Sequence, residues 1–276
     1  MSDGATAIMS SGPARTAPSI DPLAASASLW FVIAAMGQWL FAYYVVGVYG
    51  GNFAAAGLAG FAKTPLLHGY VAGDTLGNIA SAAHILLAIV VHGAGPLQLV
   101  PWIRKRAPVF HRWNGRAFLV AAVASSLFGL YLQWARDAHQ GLADVAGNTV
   151  TAALIILFAA LALRHAMARN IAVHRRWALR LFLAASAVWF IRLGSYGAQF
   201  LEHVFAVEFA PGVDVSMNAL KLLVPLGMLE LYFWAHRHAG ANGRIAVAAL
   251  LLVMSVLTAV GVYGAATIKW LPAIRG

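Results

Sequence analysis

Ten histidines carry most of the chemical capacity of this 276-residue chain: His68, His84, His92, His111, His139, His165, His174, His203, His236 and His238. Most fall at the ends of long apolar runs, where an imidazole is an ordinary interface residue. His84 and His92 lie inside one such run, where polar groups are costly and functional by default. With Asn78, Ser81, Ala88 and Gly95 they follow helical spacing, and at about 100° per residue the six form one stripe roughly 120° wide. The opposite face is Ile, Leu and Val. Two readings of this small, polar face stay open. The imidazoles hydrogen-bond across helices, for on the order of 0.6–2 kcal/mol. Alternatively they touch a cofactor or a proton path, since neutral imidazole is the usual axial ligand of haem iron. His84 and His92 are about 12 Å apart along the helix axis, and a bis-histidine haem needs two ligands at one depth on facing helices. His111 and His174 meet that need if their helices begin a turn before the apolar runs do. His84, His92, His111 and His174 are therefore the candidate haem ligands.

Arginines surround the second pair. Arg112, Arg116, Arg176 and Arg180 stand beside His111 and His174, and guanidinium forks bind carboxylate or phosphate in bidentate fashion. With Gln98 they are candidate contacts to haem propionates, a quinone headgroup or lipid phosphates; they also serve simple positive-inside topology. Gly95-Pro96 should loosen the helix that carries His84, with Gln98 near enough to compensate the freed carbonyls. Arg192 lies deep in a later apolar run and needs a partner. Glu230 is the acidic residue placed in the membrane core, so the expected partner is Glu230, or a bound anion near His84.

The elements that must position these residues are membrane helices. Runs of spanning length, roughly twenty residues each, fall near 27–49, 77–101, 115–135, 147–168, 177–199, 218–236 and 245–267. They predict an all-α polytopic bundle of about seven transmembrane helices, a single domain over 27–276. Residues 1–26 read as a disordered cytoplasmic tail. The loop 50–76, rich in Gly and Ala, reads as a loop or an interfacial helix. Thirteen of the 19 basic residues lie in the tail and in the regions 102–116, 164–180 and 236–244. With seven spans these share one side, while Asp74, Asp137, Asp144, Glu202, Glu208 and Asp214 fall on the other. The bias puts the N-terminus in the cytoplasm and the C-terminus outside.

Composition agrees. The chain is 61% apolar and only 10% charged, against about 45–50% and 25% for soluble domains, and its mean hydropathy is +0.76. An ordinary soluble enzyme cannot cover its surface this way. The net charge of +10 is explained by loop topology, without nucleic acid. The absence of cysteine excludes disulfides, thiolate metal sites and iron–sulfur clusters. No Gly-x-Gly-x-x-Gly, Walker, His-Glu-x-x-His or Gly-x-Ser-x-Gly motif occurs, so no familiar enzyme class is indicated.

FHRWNGR (110–116) and VHRRWALR (173–180) both read His, Arg, Trp, Arg at the start of a span, either as two interface anchors or as a duplicated two-helix unit. Together with His84, Gly95, Pro96 and Gln98, these motifs (His111, Arg112, Gly115 and Arg116; His174, Arg176, Trp177, Arg180 and Arg192) resemble a bacterial family of predicted membrane proteins, domain of unknown function twenty-three-zero-six. The resemblance covers about 84–193. It implies a multi-pass protein of the bacterial cytoplasmic (inner) membrane; in layout it is also loosely similar to haem-b membrane cytochromes. Two functions follow as expectations. One is an electron-transfer component that binds haem b or quinone and meets a redox partner. The other is a non-enzymatic transporter, assembly factor or sensor using the same buried His, Arg and Glu groups.

Overall fold

The computed structural model describes residues 21–66, 68–137, 141–208 and 213–275, without the side chains of 213–217. Nearly all of the expected tail, together with His139 and the side chain of Asp214, lies outside them. The described chain is mostly helix, with no strand among the described residues: α1 Pro22–Tyr44, α2 Gly51–Ala56, α3 Thr75–Leu99, α4 Pro101–Arg106, α5 Pro108–Ala135, α6 Leu142–Met167, α7 Ile171–Ala185, α8 Ala187–Phe205, α9 Val213–His238, α10 Ala241–Ala265 and α11 Leu271–Arg275.

Helix α1 starts five residues before the expected span because Asp21 caps it, accepting from the Leu23 amide at 3.2 Å, with Pro22 in the first turn. Asp and Pro in that order are a helix start signal. A π-helical stretch, Val45–Gly50, carries α1 into α2, and a 3-10 helix, Gly57–Lys63, continues it. Within 50–76, expected as a loop or an interfacial helix, residues 51–63 are thus helical.

Five segments are long and apolar enough to cross a bilayer: Pro22–Lys63, Thr75–Leu99, Pro108–Ala135, Leu142–Met167 and Ala241–Arg275. Helices α7 and α8 make a sixth if taken together, although they bend by 46°. The expected sixth span, 218–236, falls on α9, a 26-residue helix that carries Lys221, Pro225 and Glu230 and is not among these segments.

Exposure patterns show what covers the bundle. On α1, Leu29, Val32, Met36, Trp39, Tyr43 and Val46 are exposed, at intervals of three or four, while Ala34, Gly37, Gln38, Phe41 and Tyr44 are buried. An apolar stripe turned outward along a spanning helix suits lipid. Inside, α3 packs most heavily on α5, α6 on α7, and α10 on both α1 and α8. The α8–α10 crossing is built from glycines. A Cβ on Gly264 would lie 2.6 Å from the Tyr196 carbonyl, and one on Gly261 would lie 2.8 Å from that of Leu193. Small residues let membrane helices approach where no hydrophobic force drives them together.

Candidate functional site

The polar stripe of α3 divides into three. At its N-terminal end, Asn78 and Ser81 are engaged by Arg136, whose Nη2 donates to Asn78 Oδ1 at 3.2 Å and Nη1 to Ser81 Oγ at 2.8 Å. Arg136 Nε meets Asp74 at 3.0 Å, and Asn78 also pairs with the Val71 backbone. These contacts clamp the segment before α3 onto α3 and α5. At the C-terminal end, Gly95 lets aromatic side chains close in; a Cβ there would lie 3.0 Å from Phe118 and 3.3 Å from Phe182.

Between them, His84, Ala88 and His92 line a cavity of about 230 Å³ enclosed by α1, α3, α5, α6, α7 and α8. His84 Nδ1 lies 2.8 Å from the Ser125 carbonyl oxygen. A carbonyl only accepts, so Nδ1 carries a proton, and in the neutral ring the lone pair is then on Nε2. The Ser125 hydroxyl donates to the His84 carbonyl at 3.2 Å. His92 is buried, edge-on to Phe41 at 5.0 Å, and its Nδ1 has no hydrogen-bond partner among the described residues. Arg192 enters from α8. Its guanidinium sits 5.3 Å over the Phe41 ring and donates to the Val188 carbonyl at 3.1 Å. It is within electrostatic reach of His84, His92, Tyr44 and Tyr49. Gln133, Asn148 and Thr151 complete the polar wall. Asn148 is held by Lys221 Nζ at 2.6 Å and by Asp144 at 2.8 Å. The wall is not sealed, because Val188 lines the cavity and is also exposed.

The expected Arg192–Glu230 pair is not formed. Glu230 Oε1 instead accepts from Arg180, at 2.7 Å from Nε and 2.6 Å from Nη2. Arg180 also stacks 4.6 Å over Trp177 and 5.6 Å over Phe233. Depth explains the exchange. Arg192 is twelve residues beyond Arg180, about 18 Å of helix, and the bend between α7 and α8 turns it toward α1. Among the described residues no carboxylate pairs with Arg192.

At the basic end, His111 and His174 occupy matching places. Each is the fourth residue of its helix and donates its backbone N–H to the residue before the helix, Ala107 or Asn170. Both helices do begin earlier than the apolar runs, and the two imidazoles lie within electrostatic reach of each other. His174 Nδ1 lies 2.8 Å from the Ala162 carbonyl oxygen, which again assigns the proton to Nδ1 and the lone pair to Nε2. His111 Nδ1 is buried without a partner. Gln98 does not compensate the helix around Pro96. It donates across to the His111 carbonyl at 3.1 Å, because α4 and α5 fold back against this end of α3. Asn114 and Trp39 reach α3 instead, donating to the carbonyls of Ala94 at 3.0 Å and Gly93 at 3.2 Å. Arg112, Arg116 and Arg176 are exposed at this end and do not line the cavity. Arg116 lies over Trp113 and Arg176 over Phe233.

Asn114, Ser125, Arg136, Asn148 and Lys221 were absent from the sequence expectations. Each is a polar residue in or beside a spanning run, which is the signal that could have found it. Among the described residues no group of three His, Asp or Glu is arranged to hold a metal ion.

An all-helical bundle with outward apolar stripes and a polar interior defines a multi-pass membrane protein. The chain matches the family described as Predicted membrane protein (DUF2306) over residues 81–219 and belongs to it. The match takes in α3 from Ser81, both His-Arg-Trp motifs and Arg192; the α1 side of the cavity lies outside it. No curated protein and no solved structure matches the chain.

Proposed function

We propose that this membrane protein binds a quinone headgroup in the His84–His92–Arg192 cavity, as a quinone-linked component of electron transfer in the bacterial inner membrane, with its N-terminus in the cytoplasm. The observation that carries the reading is Arg192: a cation without a carboxylate partner among the described residues, beside the His84 and His92 imidazoles in one cavity. A half-buried guanidinium at membrane depth calls for an acceptor, and a quinone carbonyl oxygen supplies one without adding charge. His84 Nε2, with its lone pair, is suited to take up a proton when a redox partner reduces the ring. The gap at Val188 offers lateral access for a ligand carried in the bilayer. At about 230 Å³ the cavity is smaller than the roughly 300–1,000 Å³ that encloses drug-sized ligands. That suits a single substituted ring better than a tetrapyrrole, so His84 and His92 are read as headgroup contacts.

Haem b is a second reading, at His111 and His174. It is favoured by the lone pair on His174 Nε2, whose orientation the Ala162 carbonyl holds as outer partners hold metal-binding histidines. Haem would supply one-electron chemistry beside the quinone cavity.

A short-chain benzoquinone titrated into the full-length protein in mild detergent, followed by tryptophan fluorescence, tests the main reading. Saturable quenching is expected, and Arg192→Gln should weaken it at least about tenfold, near 1.4 kcal/mol, with helix content unchanged. Non-saturable quenching, or equal affinity in the variant, overturns it. An oxidised-minus-reduced visible spectrum of haem-supplemented protein tests the second: bands lost in His174→Ala support it, and a flat spectrum removes it.

A further inference from the structure

A second cavity, of about 280 Å³, lies between α1, α7, α8, α9 and α10, and neither the quinone reading nor the two histidine pairs uses it. Its deep end is apolar, with Trp30, Phe190 and Leu257 among its walls; its shallow end carries Arg175 and Tyr232. Trp30 spends its one donor on Thr258, at 3.1 Å, so the deep end presents little but hydrocarbon. Arg175 is different. It is exposed, has no partner among the described residues, and stands in the basic run with Arg176 and Arg180. Val224 and Leu257 line the cavity and are also exposed, so it communicates with the bilayer.

We infer that this cavity is a binding site for one anionic phospholipid, whose acyl chain fills the apolar end while its phosphate meets Arg175. The charge complementarity is local: an unpartnered guanidinium stands at the mouth, and no acidic residue lines the cavity. Guanidinium forks match phosphate oxygens, and a lipid in this position keeps its headgroup level with the basic face of the protein. The volume agrees. A methylene is about the size of a water molecule, whose share of liquid is roughly 30 Å³, so the cavity holds a run of roughly nine carbons. The site is separate from the quinone cavity and does not depend on that reading.

The test uses the full-length protein reconstituted in vesicles of equal phosphatidylglycerol and phosphatidylcholine, re-extracted in mild detergent and weighed by native mass spectrometry. One phosphatidylglycerol should be retained per chain in preference to phosphatidylcholine. Arg175→Gln, a surface change that leaves packing intact, should cut that preference at least about fivefold. Met254→Trp, which fills the cavity, should reduce retention of both lipids, and Arg192→Gln should change neither. Equal retention of the two lipids by the unaltered protein, or an undiminished preference in Arg175→Gln, overturns the inference.

Discussion

Arg136 and Arg192 show how identical residues are placed for different ends. Arg136 is surrounded by acceptors: Asp74, Asn78 and Ser81 use its donors and leave 5% of its side chain exposed. Such a set holds structure. Arg136→Gln should lower stability by about 1–3 kcal/mol, the penalty for leaving buried polar partners unsatisfied, read as a lower melting temperature in detergent. Gly77→Ala should act in the same direction, because a Cβ there would meet the Asp74 carboxylate and lie 2.6 Å from Arg136 Cδ. Arg192 has one carbonyl and one aromatic face, and its remaining donors face an open cavity. Arg192→Gln should therefore affect ligand binding more than melting. A third arginine controls a titration. Arg244 donates to Asp21 at 2.7 Å, and this hydrogen bond holds the Asp21 carboxyl below its ordinary value of 3.8. A depressed carboxyl stabilises the fold above its unfolded pKa, and that contribution is lost as pH falls through the lower folded value. Arg244→Gln should return the Asp21 titration toward 3.8 in a carboxyl carbon NMR experiment.

Among the elements, helices were legible and their irregularities were not. Apolar run length predicted α3 to within two residues at each end, because a spanning helix must be a nearly uninterrupted apolar run. The break at Ser186 left no Pro or Gly to read. It forms where Ser186 Oγ donates to the Phe182 carbonyl at 2.8 Å and accepts from Gln38 Nε2 on α1 at 3.0 Å. Serine back-bonding bends helices, but its selection here depends on a residue 148 positions away. The same break separates Arg192 from Glu230, which is why taking the acidic residue placed in the membrane core as its partner misassigned the pair. Helical spacing placed His84, Ala88 and His92 on one face, and they line one cavity. It could not divide that face into a clamp, a cavity and a packing seam, since the division depends on what α5 and α7 present to it. The α8–α10 crossing carries its own prediction. Gly264→Val would drive a side chain against the Tyr196 carbonyl and Phe200 Cβ, 2.6 and 2.9 Å from the new Cβ. It should cost about 1–3 kcal/mol, seen as a lower melting temperature.

Across the whole molecule, apolar stripes face outward and polar contacts face inward, as expected where lipid is the solvent. Composition announced that solvent because it is a bulk property, independent of side-chain geometry. The direction of insertion rests on charge bias alone, and with seven spans a reporter fused after Gly276 should be active outside the cytoplasm. The family match joins α3 to the start of α9 and leaves α1 and its π-helical extension, which contribute Phe41, Tyr44 and Tyr49 to the cavity, beyond its limits. The cavity is thus lined both by the matched segment and by a flanking helix whose π-helical stretch, a feature frequent at functional sites, reaches the same chamber. The most direct measurement is photolabelling of the full-length protein with an azido-benzoquinone, followed by peptide mapping. The account predicts label on the segments bearing His84, His92 and Arg192, displaced by unlabelled quinone and reduced in Arg192→Gln. Label confined to the second cavity, around residues 224–232 and 251–258, or label that excess quinone does not displace, would contradict it.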